Sequence, residues 1–403
     1  MSTLKVNKLR DTAGSADAIT LDPNGGAVIA GVTPISTARV TSGIVTNTFI
    51  VGAGVTISES GIEASGIGIT VANVNGGQIA GRRNIIINGA MQVSQRATSS
   101  TSSGYYTIDR FYDNFSGTDE SPTQEQVDVA SGTSPYTEGF RKAFKVTNGN
   151  QTSGAGTNDR VLIAQRFEGQ NIANSGWNYK SASSFVTLSF WCKSSVAQNF
   201  YGRFQTNDGT TYNYPFETGS LSADTWTKIT KTIPGNSNLQ IDSDQNEALK
   251  VEWMMFRGTS YTSSGSTLDT WSAYSSSARS PDHTSTWYTT NDATFELTGV
   301  QLEVGNQATA FEHRSYGEEL SLCQRYYQGA TSVGAGYGSA DGYARAGNVY
   351  SVVMRSSPTL TLTNTGSGSI IASGTSASGF YVTYGSLGGS SAGIFTFAAD
   401  AEL

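Results

Sequence analysis

The sequence predicts a mainly β protein, made of an N-terminal short-stranded intertwined stalk, a central jelly-roll β-sandwich, a short helix and a small C-terminal β-domain. Three observations predict it. Charged residues are only 14% of the 403, against roughly 25% in ordinary soluble domains, so the helix-forming Lys and Glu are scarce. Tyr (19) and Phe (17) are plentiful and Gly (46) is frequent, which favours strands separated by turns. Short runs of alternating apolar and polar residues recur along most of the chain, and only one stretch carries a helical repeat.

Residues 1–81 are read as the stalk and its attachment segment. Leu4-Lys5-Val6, Ala18–Leu21 and Ala27-Val28-Ile29 are strand-like, with Asp22-Pro23-Asn24-Gly25-Gly26 as a turn. From Val28 to Gly81 only Arg39, Glu59 and Glu63 are charged, and Ser-Gly-Ile recurs at Ser42, Ser60 and Ser65. Such a segment carries too little large apolar mass for a core of its own. Several chains sharing one axis would supply that core. A low-complexity linker is the competing reading, and the density of β-branched residues argues against it.

Residues 82–315 form the jelly roll. Arg83–Met91 reads as a strand and tight turn. Strands are then expected at Phe140–Val146, Val161–Phe167, Phe185–Cys192, Asn199–Phe204, Trp226–Thr232, Leu249–Arg257 and Phe295–Val304. In Ser184–Lys193 both alternating faces carry apolar residues, which places that strand inside a sheet covered on two sides.

Residues 316–403 hold the helix and the last β-domain. Tyr316, Leu320, Cys323 and Tyr327 form a single helical stripe, with Glu318 and Glu319 in the first turn, Arg325 in the last and Gly329 as a stop. Strands are expected at Asn348–Met354, Thr359–Thr363, Ser369–Ala372, Phe380–Tyr384 and Gly393–Phe397.

Composition excludes several functions. A net charge of −7, with no Lys after Lys250, argues against nucleic acid as a partner. No apolar run reaches the length of a membrane span, so no membrane insertion is expected. The opening MSTLKVNKLRDTAG lacks the apolar core of a signal peptide, and synthesis in a cytoplasm is expected. Cys192 and Cys323, the two cysteines, read as small buried residues.

No catalytic constellation emerges, and no enzyme activity or cofactor is expected. His283 and His313 are the two histidines, and neither lies near a nucleophile elbow. Cys323 with His313 is the one conceivable nucleophile pair, but the cysteine sits on the helical stripe. Asp292 with Glu296, and Glu247 with Glu252, are carboxylate pairs without a signature for glycan cleavage. Asp242, Asp244 and Asn246 open like a calcium loop, yet Glu247 and Trp253 stand where such a loop needs Gly and Glu. The competing reading is a solvated turn.

Two regions look fit for binding. Gly258–Asn291 is a long Ser/Thr-rich segment that carries Tyr261, Trp271, Tyr274, Trp287 and Tyr288, able to stack on sugars or to pack inside the protein. The last region spreads Tyr337, Tyr343, Tyr381 and Tyr384 among Gly and Ser, a mixture suited to recognition.

A resemblance joins these pieces. RNIIINGAMQVSQR at Arg83–Arg96, Asp109-Arg110-Phe111, Phe190–Ser194, Phe295–Arg314, the stretch Gly317–Gln328 and Met354–Thr359 follow one another. Their order resembles tail fibres and receptor-binding proteins of tailed bacteriophages with a carbohydrate-binding-module-like jelly roll. One departure is Ala310, where a proline is expected. The resemblance covers roughly residues 83–360. It implies a homotrimer on the virion, attached to tail or other virion proteins through its N-terminal region, which mediates host attachment through a surface glycan or protein. A structural fibre or decoration protein, and a polysaccharide-degrading tail spike, are the alternatives.

Overall fold

The computed structural model describes residues 83–335, 343–385 and 393–403, and before them the backbone of six short strands. Those six are β1 (Lys8–Arg10), β2 (Asp17–Leu21), β3 (Ala27–Ile29), β4 (Thr48–Ile50), β5 (Val55–Ser58) and β6 (Gly61–Ala64), in two antiparallel three-stranded sheets. Residues 1–71 form one unit and 72–403 another. The strands expected at Ala18–Leu21 and Ala27–Ile29 fall within β2 and β3, whereas Leu4–Val6 and the Asp22–Gly26 turn lie outside the described residues.

The second unit is dominated by a sandwich of two antiparallel six-stranded sheets. Its strands are β7 (Ser99–Ser100), β8 (Tyr112–Ser116), β9 (Thr123–Asp128), β10 (Lys142–Thr147), β11 (Arg160–Glu168), β12 (Phe185–Ser194), β13 (Asn199–Thr206), β14 (Tyr212–Ser220), β15 (Thr227–Pro234), β16 (Glu247–Arg257), β17 (Ser272–Ala273) and β18 (Thr294–Val304). One sheet runs β15-β12-β18-β10-β9-β7 and the other β17-β14-β13-β16-β11-β8. Single-turn helices α1 (Ser134–Thr137), α2 (Gly169–Ala173) and α3 (Thr286–Thr289) lie in the connections.

Each expected strand from Phe140 to Val304 is present within a few residues, because these runs are apolar enough to be covered on at least one side. The strands β8, β9 and β14 were not expected. Their polar residues lie at or next to sheet edges, where alternation is weak. Arg83–Met91 forms no strand. Asn88 and Met91 take positive φ and turn the chain, which sends Ile86 and Met91 into the core.

The main core lies between the sheets. Val186, Leu188, Phe190 and Cys192 of β12 meet Trp253, Met255, Phe204 and Phe216. Phe190 sits edge-on to Trp253 with ring centroids 5.8 Å apart. The other face of β12 presents Trp191 to a second cluster with Phe140, Val129 and Ala143. Both faces of this strand are therefore buried. At Gly299, β18 bulges opposite β12, between the pairs Ser189–Gln301 and Trp191–Thr298. The residue has φ +62°, and a Cβ there would stand 2.7 Å from the Phe140 ring. Gly299→Ala is expected to cost about 1–3 kcal/mol from backbone strain and crowding, read as a lower urea midpoint. A midpoint unchanged from wild type would refute this.

The C-terminal part begins with α4 (Tyr316–Gln324), capped by Ser315, whose Oγ accepts from the Glu318 N–H. The expected stripe breaks at both ends. Tyr316 is more than half exposed, and Tyr327 and Gly329 already belong to β19 (Tyr327–Ala335). The buried face carries Glu319 and Cys323 instead. Then follow β20 (Ala344–Val349), β21 (Thr359–Asn364), β22 (Ser369–Ser376), β23 (Gly379–Gly385) and β24 (Gly393–Asp400), as sheets β19-β24-β21 and β20-β23-β22. They enclose Tyr350, Phe380, Val382, Tyr384, Phe395 and Phe397. Only the first two residues of the strand expected at Asn348–Met354 are extended. Its Tyr350 and Met354 are buried but lie in a bend beyond β20.

Candidate functional site

The outer face of the second large sheet is built by the two-residue period of its strands. On β11, Arg160, Leu162, Ala164 and Arg166 face outward, while Val161, Ile163 and Phe167 enter the core. Tyr112 and Asn114 of β8, Arg203 and Gln205 of β13, and Lys250 and Glu252 of β16 join the same face. Regular alternation along β16 would next point Phe256 outward. A bulge intervenes: Val161 pairs with Phe256 but Leu162 pairs with Met254, which leaves Met255 as an extra residue. Phe256 and Met255 are therefore in the core, and Arg257 turns onto the outer face beside its partner Arg160. The long segment after β16 then supplies Tyr261, Tyr274 and Arg279 as a wall. The result is a groove of about 360 Å³.

Glu252 is the hub of the groove. Arg203 grips it with two bonds, Nε to Oε2 at 2.5 Å and Nη2 to Oε1 at 3.0 Å. Arg257 Nη2 donates to Oε2 at 3.0 Å, and Lys250 Nζ lies 3.5 Å from Oε1. Burial would raise this carboxyl, but Arg203 and Arg257 outweigh it and hold it well below the usual carboxylate range. It is therefore a poor proton donor. Glu247, its possible partner in glycan cleavage, is paired with Arg166 at 3.4 Å. Around the hub, Arg279 lies 4.7 Å from the Tyr261 ring centre and 5.6 Å from that of Tyr274. Arg160 Nε donates to Asn114 Oδ1 at 2.6 Å.

The residues singled out from sequence fall in different places. Trp287 and Tyr288 are fully buried: Tyr288 stacks on Phe256 at 4.4 Å, and Trp287 Nε1 donates to the Thr294 carbonyl. Trp271 packs against Tyr214 and donates to the Pro234 carbonyl at 2.7 Å. These three rings are used in packing, the second of the two uses the sequence left open for them. Of the aromatics in that segment, Tyr261 and Tyr274 line the groove. Tyr384 is buried in the C-terminal core, whereas Tyr343 and Tyr381 are exposed. Tyr337 lies outside the described residues. Asp244 accepts from the Asn246 backbone N–H, and the Asp242 backbone N–H donates to Asp208. Among the described residues no cluster of three metal-ligating side chains occurs.

The tempting nucleophiles are structural. Burial raises the Cys323 thiol well above its usual range, so it is no thiolate. His313 is exposed and its Nε2 lies 2.9 Å from the Glu138 carbonyl. His283 packs on Tyr201 and Phe256, and burial first, then Arg257, pushes it down to about 3.

No protein-family model matches the chain, and no curated protein does. Among solved structures it is similar to the enzymatically active domain of tailspike protein 4 of bacteriophage CBA120, at 8% identity and TM-score 0.29, over 55% of this chain and 21% of that one. The match thus spans about a fifth of that domain's length. A CBM4 structure is similar at 13% identity and TM-score 0.27, over 54% of this chain and 97% of that one. The N-terminal cellulose-binding domain of Cellulomonas fimi β-1,4-glucanase C gives 11% identity and TM-score 0.25, over 54% and 99%. Scores this low carry no weight for function, and the architecture rests on the strand order above.

The groove was missed from sequence, although a signal was there. Arg203, Lys250, Glu252 and Arg257 are charges set inside otherwise apolar strands, and a charge is kept in such a place when partners or a ligand meet it.

Proposed function

We propose that this chain is a non-catalytic carbohydrate-binding adhesin of the tailed-phage fibre kind, which attaches a virion to a host surface glycan through the groove on its second sheet. The observation that supports the reading is the groove itself, a set of outward Tyr, Gln, Asn and Arg side chains on rigid strands. Tyr faces suit the apolar faces of sugars, and amide and guanidinium groups suit hydroxyls. Glu252 is the sole carboxylate among the described residues that line it, and glycoside hydrolysis ordinarily needs two.

The same reading makes the chain a homotrimer held to other virion proteins by its N-terminal region. Val349, Val353, Ile371 and Tyr381 are each more than half exposed on the C-terminal β-domain. Neighbouring copies of the same domain would cover them, and trivalency would multiply weak glycan contacts.

Purified chain is expected to coat host cells and block adsorption. Tyr274→Ala is expected to weaken glycan binding about tenfold, equivalent to about 1.4 kcal/mol, with an unchanged thermal midpoint. Full affinity in that variant would remove the groove from the reading. Absence of cell binding at saturating protein would remove the adhesin.

A further inference from the structure

We propose that the groove selects saccharides bearing an anionic group, seated on the guanidinium of Arg257 between Arg160 and Arg279. This rests on the reading of the groove as a saccharide site. Six cations line it, Arg160, Arg166, Arg203, Lys250, Arg257 and Arg279, against the single carboxylate of Glu252. The whole chain runs the other way, with 25 Lys and Arg against 32 Asp and Glu. Positive charge is thus gathered at one place on an acidic protein, where it focuses the field on an incoming anion.

Local bonding leaves work for a ligand. Glu252 is already shared by Arg203, Arg257 and Lys250. Arg257 is only 2% exposed, yet its Nε and Nη1 have no protein hydrogen-bond partner. Burying guanidinium N–H groups without acceptors is costly, and three further guanidiniums nearby add repulsion. Burial, then that repulsion from Arg203, Arg279 and Arg160 against the pull of Glu252, lowers the Arg257 pKa. A carboxylate, sulfate or phosphate on a sugar would give both N–H groups an acceptor and offset the repulsion. A neutral hydroxyl offers an acceptor without the charge.

The test measures binding of the full chain to an oligogalacturonide, to its carboxyl-reduced neutral counterpart, and to sulfated and phosphorylated oligosaccharides. At least one acidic probe is expected to bind about tenfold tighter than the neutral one. That preference should shrink as salt is raised. The arm that binds identifies carboxylate, sulfate or phosphate as the group. Arg279→Ala, on the outer segment, is expected to abolish the preference, and Arg257→Met to do the same provided its circular dichroism matches wild type. Equal affinity for neutral and acidic probes overturns the inference but leaves the adhesin reading standing. A preference that survives Arg279→Ala and a folded Arg257→Met also overturns it. Failure of every saccharide, together with absence of cell binding, overturns both.

Discussion

Arg110→Met is expected to cost about 3–5 kcal/mol of stability, because it leaves the buried Glu402 carboxylate with only its longer contact to Arg96, at 3.5 Å. Arg110 is 1% exposed, pairs with the Glu402 carboxylate, and its guanidinium lies 3.4 Å from the ring centre of Tyr326. A third contact, Nη2 to the Arg166 carbonyl at 2.7 Å, ties it to β11. The neighbouring joint is built the same way. Glu168 of β11 takes Arg325 Nη2 at 2.8 Å and the Tyr326 hydroxyl, Arg96 pairs with Asp400 at 3.0 Å, and the Asn88 N–H donates to Glu319. These contacts thus hold the C-terminal β-domain on the sandwich. Urea unfolding gives the magnitude, and hydrogen exchange in β19 and β24 should rise more than in β12. The double variant Arg110→Met with Glu402→Leu is expected to recover much of the loss, since neither charge is then buried alone. A single-variant loss below about 1 kcal/mol would contradict this role.

Asp113→Asn is expected to stabilise the protein at alkaline pH and to flatten its dependence on pH. Asp113 shares its face of β8 with Phe115, just after the core residue Phe111, is fully buried, and neither carboxyl oxygen has a protein hydrogen-bond partner. Burial raises its pKa from 3.8 to about 8. The folded state therefore binds a proton that the unfolded state has released. That contribution to stability is fully present below about 3.8 and is lost as pH rises through about 8. Four pKa units correspond to roughly 5 kcal/mol. Urea midpoints of the two proteins should differ little at acid pH and diverge progressively toward pH 8. Parallel curves would refute it. Carboxyls such as Glu252, held low in the fold, lose their stabilisation on the acid side in both proteins alike. The difference between the curves therefore isolates Asp113.

Much of the sandwich was legible in the sequence. In β12 the alternation of Val186, Leu188, Phe190 and Cys192 against Thr187, Ser189 and Trp191 announced a strand covered on both sides, because side-chain direction in a strand follows a period of two. Tyr381 and Tyr384 lie on opposite faces for the same reason, one exposed and one in the core. The helical stripe from Tyr316 to Tyr327 misled. Four apolar residues at helical spacing do not show where a helix ends, and Tyr327 was claimed by pairing with Asp400 of β24.

What the sequence determined by itself is local: strand content, alternation, and the charges inside β13 and β16. Tertiary structure decided which faces meet. Trp287 and Tyr288 could stack on sugars or pack inside, and only the fold put both inside, Tyr288 against Phe256 and Asp159. Arg257 became a groove residue because one extra residue at Met255 reversed the facing of the strand end. A bulge depends on the partner strand's register, and burial depends on distant residues. Neither is encoded in the period of a single strand, so the groove exists only once β8, β11, β13 and β16 lie side by side.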